Sequence, residues 1–254
     1  YEALFPTDLD YWVLLRDYNC DGLKDIFTSS PLGIRVFRQE AAQGQLSFSL
    51  ATDALRYSAR NINMQMNSAD VPAITDIDGD GDLDILLTDF AEGFFLELYR
   101  NTQAEEGQPC GTLQFVQQSR WWGGISECDG CNNFKFGEYC TWEEGESVAS
   151  PMHSGHDGSS LLLLDTDADG DKELVMGGVS CDYLVFMENR GSSSEAQMTG
   201  FDPAFPAANP AAFNQYPAAY YEDVTFDGIP DLLVASQAYE DTWNMNFQNS
   251  TWLY

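Results

Sequence analysis

One nine-residue pattern recurs four times in this 254-residue chain and narrows its possible folds more than any other feature. The segments are Asp17-Tyr-Asn19-Cys-Asp21-Gly22-Leu23-Lys-Asp25, Asp76-Ile-Asp78-Gly-Asp80-Gly81-Asp82-Leu-Asp84, Asp165-Thr-Asp167-Ala-Asp169-Gly170-Asp171-Lys-Glu173 and Asp223-Val-Thr225-Phe-Asp227-Gly228-Ile229-Pro-Asp231. Each runs into an apolar stretch: Ile26-Phe27, Ile85-Leu86-Leu87, Leu174-Val175-Met176 and Leu232-Leu233-Val234. The starts are 59, 89 and 58 residues apart. A recurrence this regular reads as one supersecondary unit used four times.

The spacing has a chemical reading. A hard cation such as Ca2+ takes six to eight oxygens at about 2.3–2.6 Å in a flexible cage. Oxygens on residues 1, 3 and 5 converge if the chain bends sharply, and glycine at position 6 permits that bend. Position 7 then offers a carbonyl, and the acid at position 9 closes the shell. An EF-hand begins in the same way but needs a bidentate Glu at position 12 and flanking helices. Position 12 here is Thr28, Leu87, Met176 or Val234, and the flanks are aliphatic and β-branched. Magnesium is disfavoured because it usually keeps several of its waters.

The surroundings repeat as well. Ahead of the loops lie Tyr11–Leu15, Val71–Ile74, Leu161–Leu164 and Tyr216–Tyr221. Beyond them come Ile34–Phe37, Phe94–Tyr99, Tyr183–Met187 and Thr251–Tyr254, with further alternating segments at Leu46–Leu50 and Leu113–Val116. These read as short strands, and no helical period appears. A unit of about 60 residues with up to four strands matches one blade of a β-propeller. The predicted fold is therefore all-β, a propeller of four-stranded blades. The repeats fall at about 1–60, 61–119, 150–205 and 206–254, with a Cys-rich insert in 101–150.

The loops and their flanking strands resemble the FG-GAP, or VCBS, repeat family over nearly the whole chain. Three segments are closest in character to repeats of secreted and surface proteins of Bacteroidetes bacteria: His156-Asp-Gly158-Ser159-Ser160, Leu184–Asn189 and Tyr220-Tyr221-Glu-Asp223. The resemblance implies calcium ligands residue by residue. Side chains would come from Asp17, Asn19, Asp21 and Asp25; from Asp76, Asp78, Asp80 and Asp84; from Asp165, Asp167, Asp169 and Glu173; and from Asp223, Asp227 and Asp231. The carbonyls of Leu23, Asp82, Asp171 and Ile229 would add one ligand each, and Thr225 departs from the family pattern in the fourth loop. Family members usually carry about seven blades, which implies that these four belong to a larger propeller. Tyr1, with no Met or leader pattern, and Tyr254 both cut through repeat-like sequence, as expected of a section of a longer protein.

Charge removes several functions. With 41 Asp+Glu against 11 Lys+Arg, the formal charge is −30. Nucleic acid, which needs a basic face, is excluded as a partner, and anionic membrane surfaces are disfavoured by the same repulsion. Disorder is excluded too, since hydrophobic residues make up 44% of the chain and aromatics 13%, enough to bury a core. No apolar run is long enough to span a bilayer. Sixteen of the 41 acids lie in the four loops, where four bound Ca2+ would bring the formal charge to −22.

The long interval holds Cys110, Cys128, Cys131 and Cys140, with Trp121 and Trp122; Cys20 and Cys181 lie outside it. An even cysteine count in such a chain reads as disulfides and an oxidising compartment. Two disulfides inside the insert are expected, with a zinc site or a thiol pair at Cys128-x-x-Cys131 as alternatives. Trp121, Trp122 and Trp142 invite sugar stacking, against the simpler reading of packing within the insert. His153 and His156 lack a third His for a metal triad, and Glu143, Glu144 and Glu146 form no specific carboxylate pair.

The expected function is a secreted or cell-surface, non-catalytic, calcium-binding propeller for adhesion, surface assembly or protein–protein interaction. Its expected partners are further blades or domains of the same longer protein, surface or secretion-system proteins, or glycans. The alternative is a carbohydrate-binding propeller, or the propeller domain of a polysaccharide-degrading enzyme.

Overall fold

A computed structural model describes residues 4–42, 45–91, 93–140, 158–213, 215–237 and 250–254. Among the described residues strand accounts for 45% and helix for 2%, arranged as a four-bladed β-propeller. The first blade is the antiparallel sheet β1 (Asp10–Arg16), β2 (Asp25–Ser30), β3 (Gly33–Ala42) and β4 (Gln45–Thr52), in chain order. Two short strands follow, β5 (Arg56–Tyr57) and β6 (Ile62–Asn63). The second blade contains β7 (Ala73–Thr75), β8 (Asp84–Thr88), β9 (Leu96–Asn101) and β10 (Phe115–Ser119). Its outer strand β10 also pairs in parallel with β5, so the sheet gains two strands that the sequence reading did not anticipate.

A hairpin of β11 (Ile125–Glu127) and β12 (Phe134–Phe136) forms part of the long interval. The third blade is β13 (Ser159–Leu164), β14 (Glu173–Gly178), β15 (Leu184–Met187) and β16 (Asp202–Phe205). The fourth has three described strands, β17 (Pro217–Glu222), β18 (Asp231–Ser236) and β19 (Thr251–Leu253).

The apolar runs after the loops are explained by what covers them. β8 is buried at all five positions, because a blade strand meets one neighbouring blade on each face. Successive side chains point to opposite faces. Ile85 and Leu87 therefore enter the core shared with the first blade, while Leu86 between them enters the core shared with the third. β14 repeats this division: Leu174 and Met176 pack toward the second blade and Val175 toward the fourth. Three apolar cores thus lie between successive blades rather than within one. Blades three and four approach so closely that a Cβ at Gly177 would stand 1.9 Å from the carbonyl oxygen of Pro217.

The inner strands β1, β7, β13 and β17 line a central cavity of about 400 Å³. Across it Arg16 joins three blades, donating from Nε to the carbonyl of Ile74 (2.7 Å) and pairing with Glu222. Lys24 reaches the same glutamate at 3.5 Å.

The cysteines depart from expectation. Cys128 pairs with Cys140 inside the insert, but Cys131 pairs with Cys181 of the third blade and Cys110 with Cys20 of the first loop. Two of the three disulfides therefore tie the insert to the propeller, and the zinc and thiol-pair alternatives are both removed. Of the two readings of Trp121 and Trp122, packing is the one that holds, although Trp122 packs beyond the insert. Trp122 is buried in the core between blades two and three. Trp121 stacks on Tyr139 with centroids 4.7 Å apart and donates its indole N–H to the carbonyl of Ile125. Trp142, Glu143, Glu144, Glu146, His153 and His156 lie outside the described residues.

Candidate metal centres

Each acidic loop joins the first strand of a blade to the second, and all four have the same internal skeleton. The carboxylate at position 9 accepts the N–H of position 2: Tyr18 to Asp25 (3.2 Å), Ile77 to Asp84 (3.1 Å), Thr166 to Glu173 (2.7 Å) and Val224 to Asp231 (2.9 Å). The carboxylate at position 5 accepts the N–H of position 7: Leu23 to Asp21, Asp82 to Asp80, Asp171 to Asp169 and Ile229 to Asp227, at 2.9–3.1 Å. In three loops the glycine N–H also donates to position 1, at Asp17, Asp76 and Asp223.

The glycine at position 6 is left-handed in all four loops, with φ of 83° to 97°. So is position 4, where Cys20, Ala168 and Phe226 adopt φ near 60° without being glycine. That second bend was not read from the sequence. It turns position 5 back over the loop, at a backbone cost that a side chain at position 4 bears.

The loops differ in what surrounds them. Among the described residues, carboxylate triads with oxygens within 4.8 Å of one another occur in the second and third loops: Asp76, Asp78 and Asp84; Asp78, Asp80 and Glu105; Asp165, Asp167 and Glu173; Asp169, Asp171 and Glu173. Asp84, Asp82, Asp171 and Glu173 are buried. Burial, with neighbouring carboxylates, pushes Asp84 up to about 7 and both Asp82 and Asp171 up to about 6. Asp25 and Asp80 are also raised, chiefly by burial. In the fourth loop residues 224–230 are exposed, Phe226 to 89% and Ile229 to 67%, and Asp223 and Asp231 are half-buried.

Two partners of the second loop were missed. Arg100, following Tyr99 on β9, pairs with Asp78, approaches Asp80 at 3.5 Å and Asp84 at 3.9 Å, and meets Glu105 at 2.7 Å. Glu105 comes from the turn after β9, bringing a carboxylate from outside the nine-residue pattern. Its only sequence signal was the pair Asn101 and Asn189, which place that turn equivalently in two blades. Asn101 Oδ1 accepts the N–H of Gln103 and Gln114, and Asn189 Oδ1 those of Gly191 and Gln197.

Whether these residues suit a divalent cation can be tested on their unused atoms. A buried polar atom is normally paired. Here Asp78 Oδ1, Asp82 Oδ1, Asp165 Oδ1 and Asp171 Oδ1 are buried without a hydrogen-bond partner, all in the second and third loops. Carboxylates crowded together, partly desolvated and holding idle oxygens suit a hard cation. The residues fit.

The fold and these loops define a β-propeller with clusters of acidic residues able to hold a metal ion. Residues 17–87 match the model of the FG-GAP-like repeat, covering the first two loops; the match does not reach the finer likeness to bacterial surface proteins. No curated protein matches the sequence. A solved structure of an Agrocybe aegerita lectin, described for its specific recognition of non-reducing terminal N-acetylglucosamine, aligns with 88% of this chain and 46% of its own, at 16% identity and a TM-score of 0.37. This chain thus spans under half of that lectin's length.

Proposed function

We propose that this chain is a non-catalytic, extracellular propeller module, stiffened by calcium, that presents its surface for adhesion, assembly or protein–protein interaction. The observation that carries the reading is the set of buried, unpartnered oxygens on Asp78, Asp82, Asp165 and Asp171. Asp76, Asp78, Asp80 and Asp84 would hold one ion, and Asp165, Asp167, Asp169 and Glu173 a second. The weaker donor sets are Asp17, Asn19, Asp21 and Asp25 in the first loop and Asp223, Asp227 and Asp231 in the fourth. When bound, calcium supplies positive charge where the chain concentrates carboxylates, and so stabilises the folded loops over the unfolded chain.

Three disulfides, two of them anchoring the insert, support an oxidising compartment. No helix among the described residues is long and apolar enough to cross a membrane. With a charge of −30 the surface suits protein partners, including further blades of a longer chain, better than nucleic acid.

The test is a melting curve with and without chelator. One site at 100 times its dissociation constant contributes about 2.7 kcal/mol, and each kcal/mol moves the midpoint by about 2–4 °C in a chain of this size. Two filled sites thus predict a loss of roughly 10–20 °C on chelation, restored by calcium and not by magnesium. Superimposable curves in chelator and calcium would reject the reading.

A further inference from the structure

The seventh residue of the four loops is Leu23, Asp82, Asp171 or Ile229. A carbonyl ligand needs no particular side chain, so the ligand pattern gives no reason for an acid at this position. Yet the two aspartates are nearly sealed from solvent, 4% exposed at Asp82 and 6% at Asp171, whereas Ile229 is 67% exposed. The usual preference is inverted: the charged residues are inside, while Leu23 is half-buried and Ile229 outside.

Hydrogen bonding does not account for this. Asp82 uses Oδ2 to accept the N–H of Ala104 at 3.0 Å but leaves Oδ1 without a partner. Asp171 Oδ1 is likewise unpartnered. Its carboxylate stands in a triad with Asp169 and Glu173, oxygens within 4.8 Å of one another. Both residues donate their N–H to the position-5 carboxylate in the same way, at 3.1 and 3.0 Å, so the two side chains leave equivalent points of their loops. The same buried, idle oxygen has therefore arisen in two loops separated by 89 residues. Carboxylates held as close as those of Asp171, Asp169 and Glu173, two of them buried, need a positive charge among them.

We propose that the side-chain carboxylates of Asp82 and Asp171 are themselves cation ligands. The second and third loops then each present five acidic side chains to a divalent ion, against three in the first and fourth. Ligand charge count is a main determinant of calcium affinity, so the second and third loops are the tight pair. This rests on reading the loops as calcium sites. The third loop isolates the effect best. Tyr99 and Met187 stand opposite Ile85 and Leu174 in register, so the counterpart of Arg100 there is Glu188. The third loop thus has no arginine at that place.

The experiment titrates the whole chain with Ca2+ after chelator treatment, following heat and melting temperature, for wild type, Asp171→Asn, Asp82→Asn and Leu23→Asp. Each Asn variant is expected to weaken one tight site by about 10- to 100-fold, the range seen even for indirect metal partners. In chelator Asp171→Asn should melt at or above the wild-type temperature, because a buried unpaired charge is gone; a packing role would lower it equally with and without calcium. Leu23→Asp should tighten the first loop. Unaltered calcium affinities in both Asn variants, with a wild type that does respond, would overturn this inference alone. A wild type indifferent to calcium would remove the calcium reading and this inference together.

Discussion

Asp84 should report a reversal of sign between the metal-free and calcium-bound protein. It is fully buried, accepting the N–H of Ile77 on Oδ2 (3.1 Å) and that of Asn101 on Oδ1 (2.9 Å). Burial, then the nearby Asp82 and Asp80, raises it from 3.8 to about 7 in the folded, metal-free chain. A carboxyl group whose folded value lies above its unfolded value binds more protons when folded. Stability therefore falls as pH rises from about 4 through 7 and is recovered on acidification. The difference is about three units, which at ~1.4 kcal/mol each amounts to up to about 4 kcal/mol lost by pH 8.

Asp84→Asn mimics the uncharged acid, except that its amide nitrogen cannot accept the second N–H, which the acid's hydroxyl oxygen still can. It should lie about 1 kcal/mol below the wild type under pH ~4, for that lost hydrogen bond, and exceed it by up to about 3 kcal/mol at pH 8 in chelator, a gain of roughly 6–12 °C in melting temperature. On the calcium reading the order should invert once calcium is added, because the variant would lack a charged ligand. Melting curves of both proteins at pH 4, 6 and 8, with chelator and with calcium, make the comparison. A variant no more stable than wild type at pH 8 in chelator would refute the burial argument.

Two further outcomes can be checked on the same samples. Removing the Cys131–Cys181 bridge with Ser at both positions releases a loop of sequence separation 50, worth about 4 kcal/mol in chain entropy; the melting temperature should fall markedly, and protease should then cut within 110–140 first. Arg100→Gln strips the cation shared by Asp78, Asp80, Asp84 and Glu105. In chelator it should destabilise by about 3–5 kcal/mol, as for breaking a buried ion pair, with most of that loss restored by calcium. A loss unchanged by calcium would indicate that Arg100 serves packing alone.

What could be read from the chain and what could not divide along a physical line. The loops were legible because covalent geometry brings residues 1, 3, 5, 7 and 9 together within one bend, whatever lies beyond. The strands were legible because Ile85-Leu86-Leu87 and Leu174-Val175-Met176 are apolar on both faces, as two-sided burial requires. Even there the bend at position 4 escaped notice, since Cys20, Ala168 and Phe226 carry no glycine signal.

Contacts across distance were beyond pattern. Cys128 and Cys131 are three residues apart yet bond to Cys140 and Cys181, and Trp122 is sealed between blades while neighbouring Trp121 is only half-buried. Arg100 and Glu105 reach the second loop from another strand and its turn. By itself the sequence determined the repeat, the four acidic loops and the all-β architecture, all encoded within a few residues. Tertiary structure alone decided which carboxylates are buried, which loop receives an arginine and where the insert is anchored, because burial and long-range pairing depend on how whole blades pack.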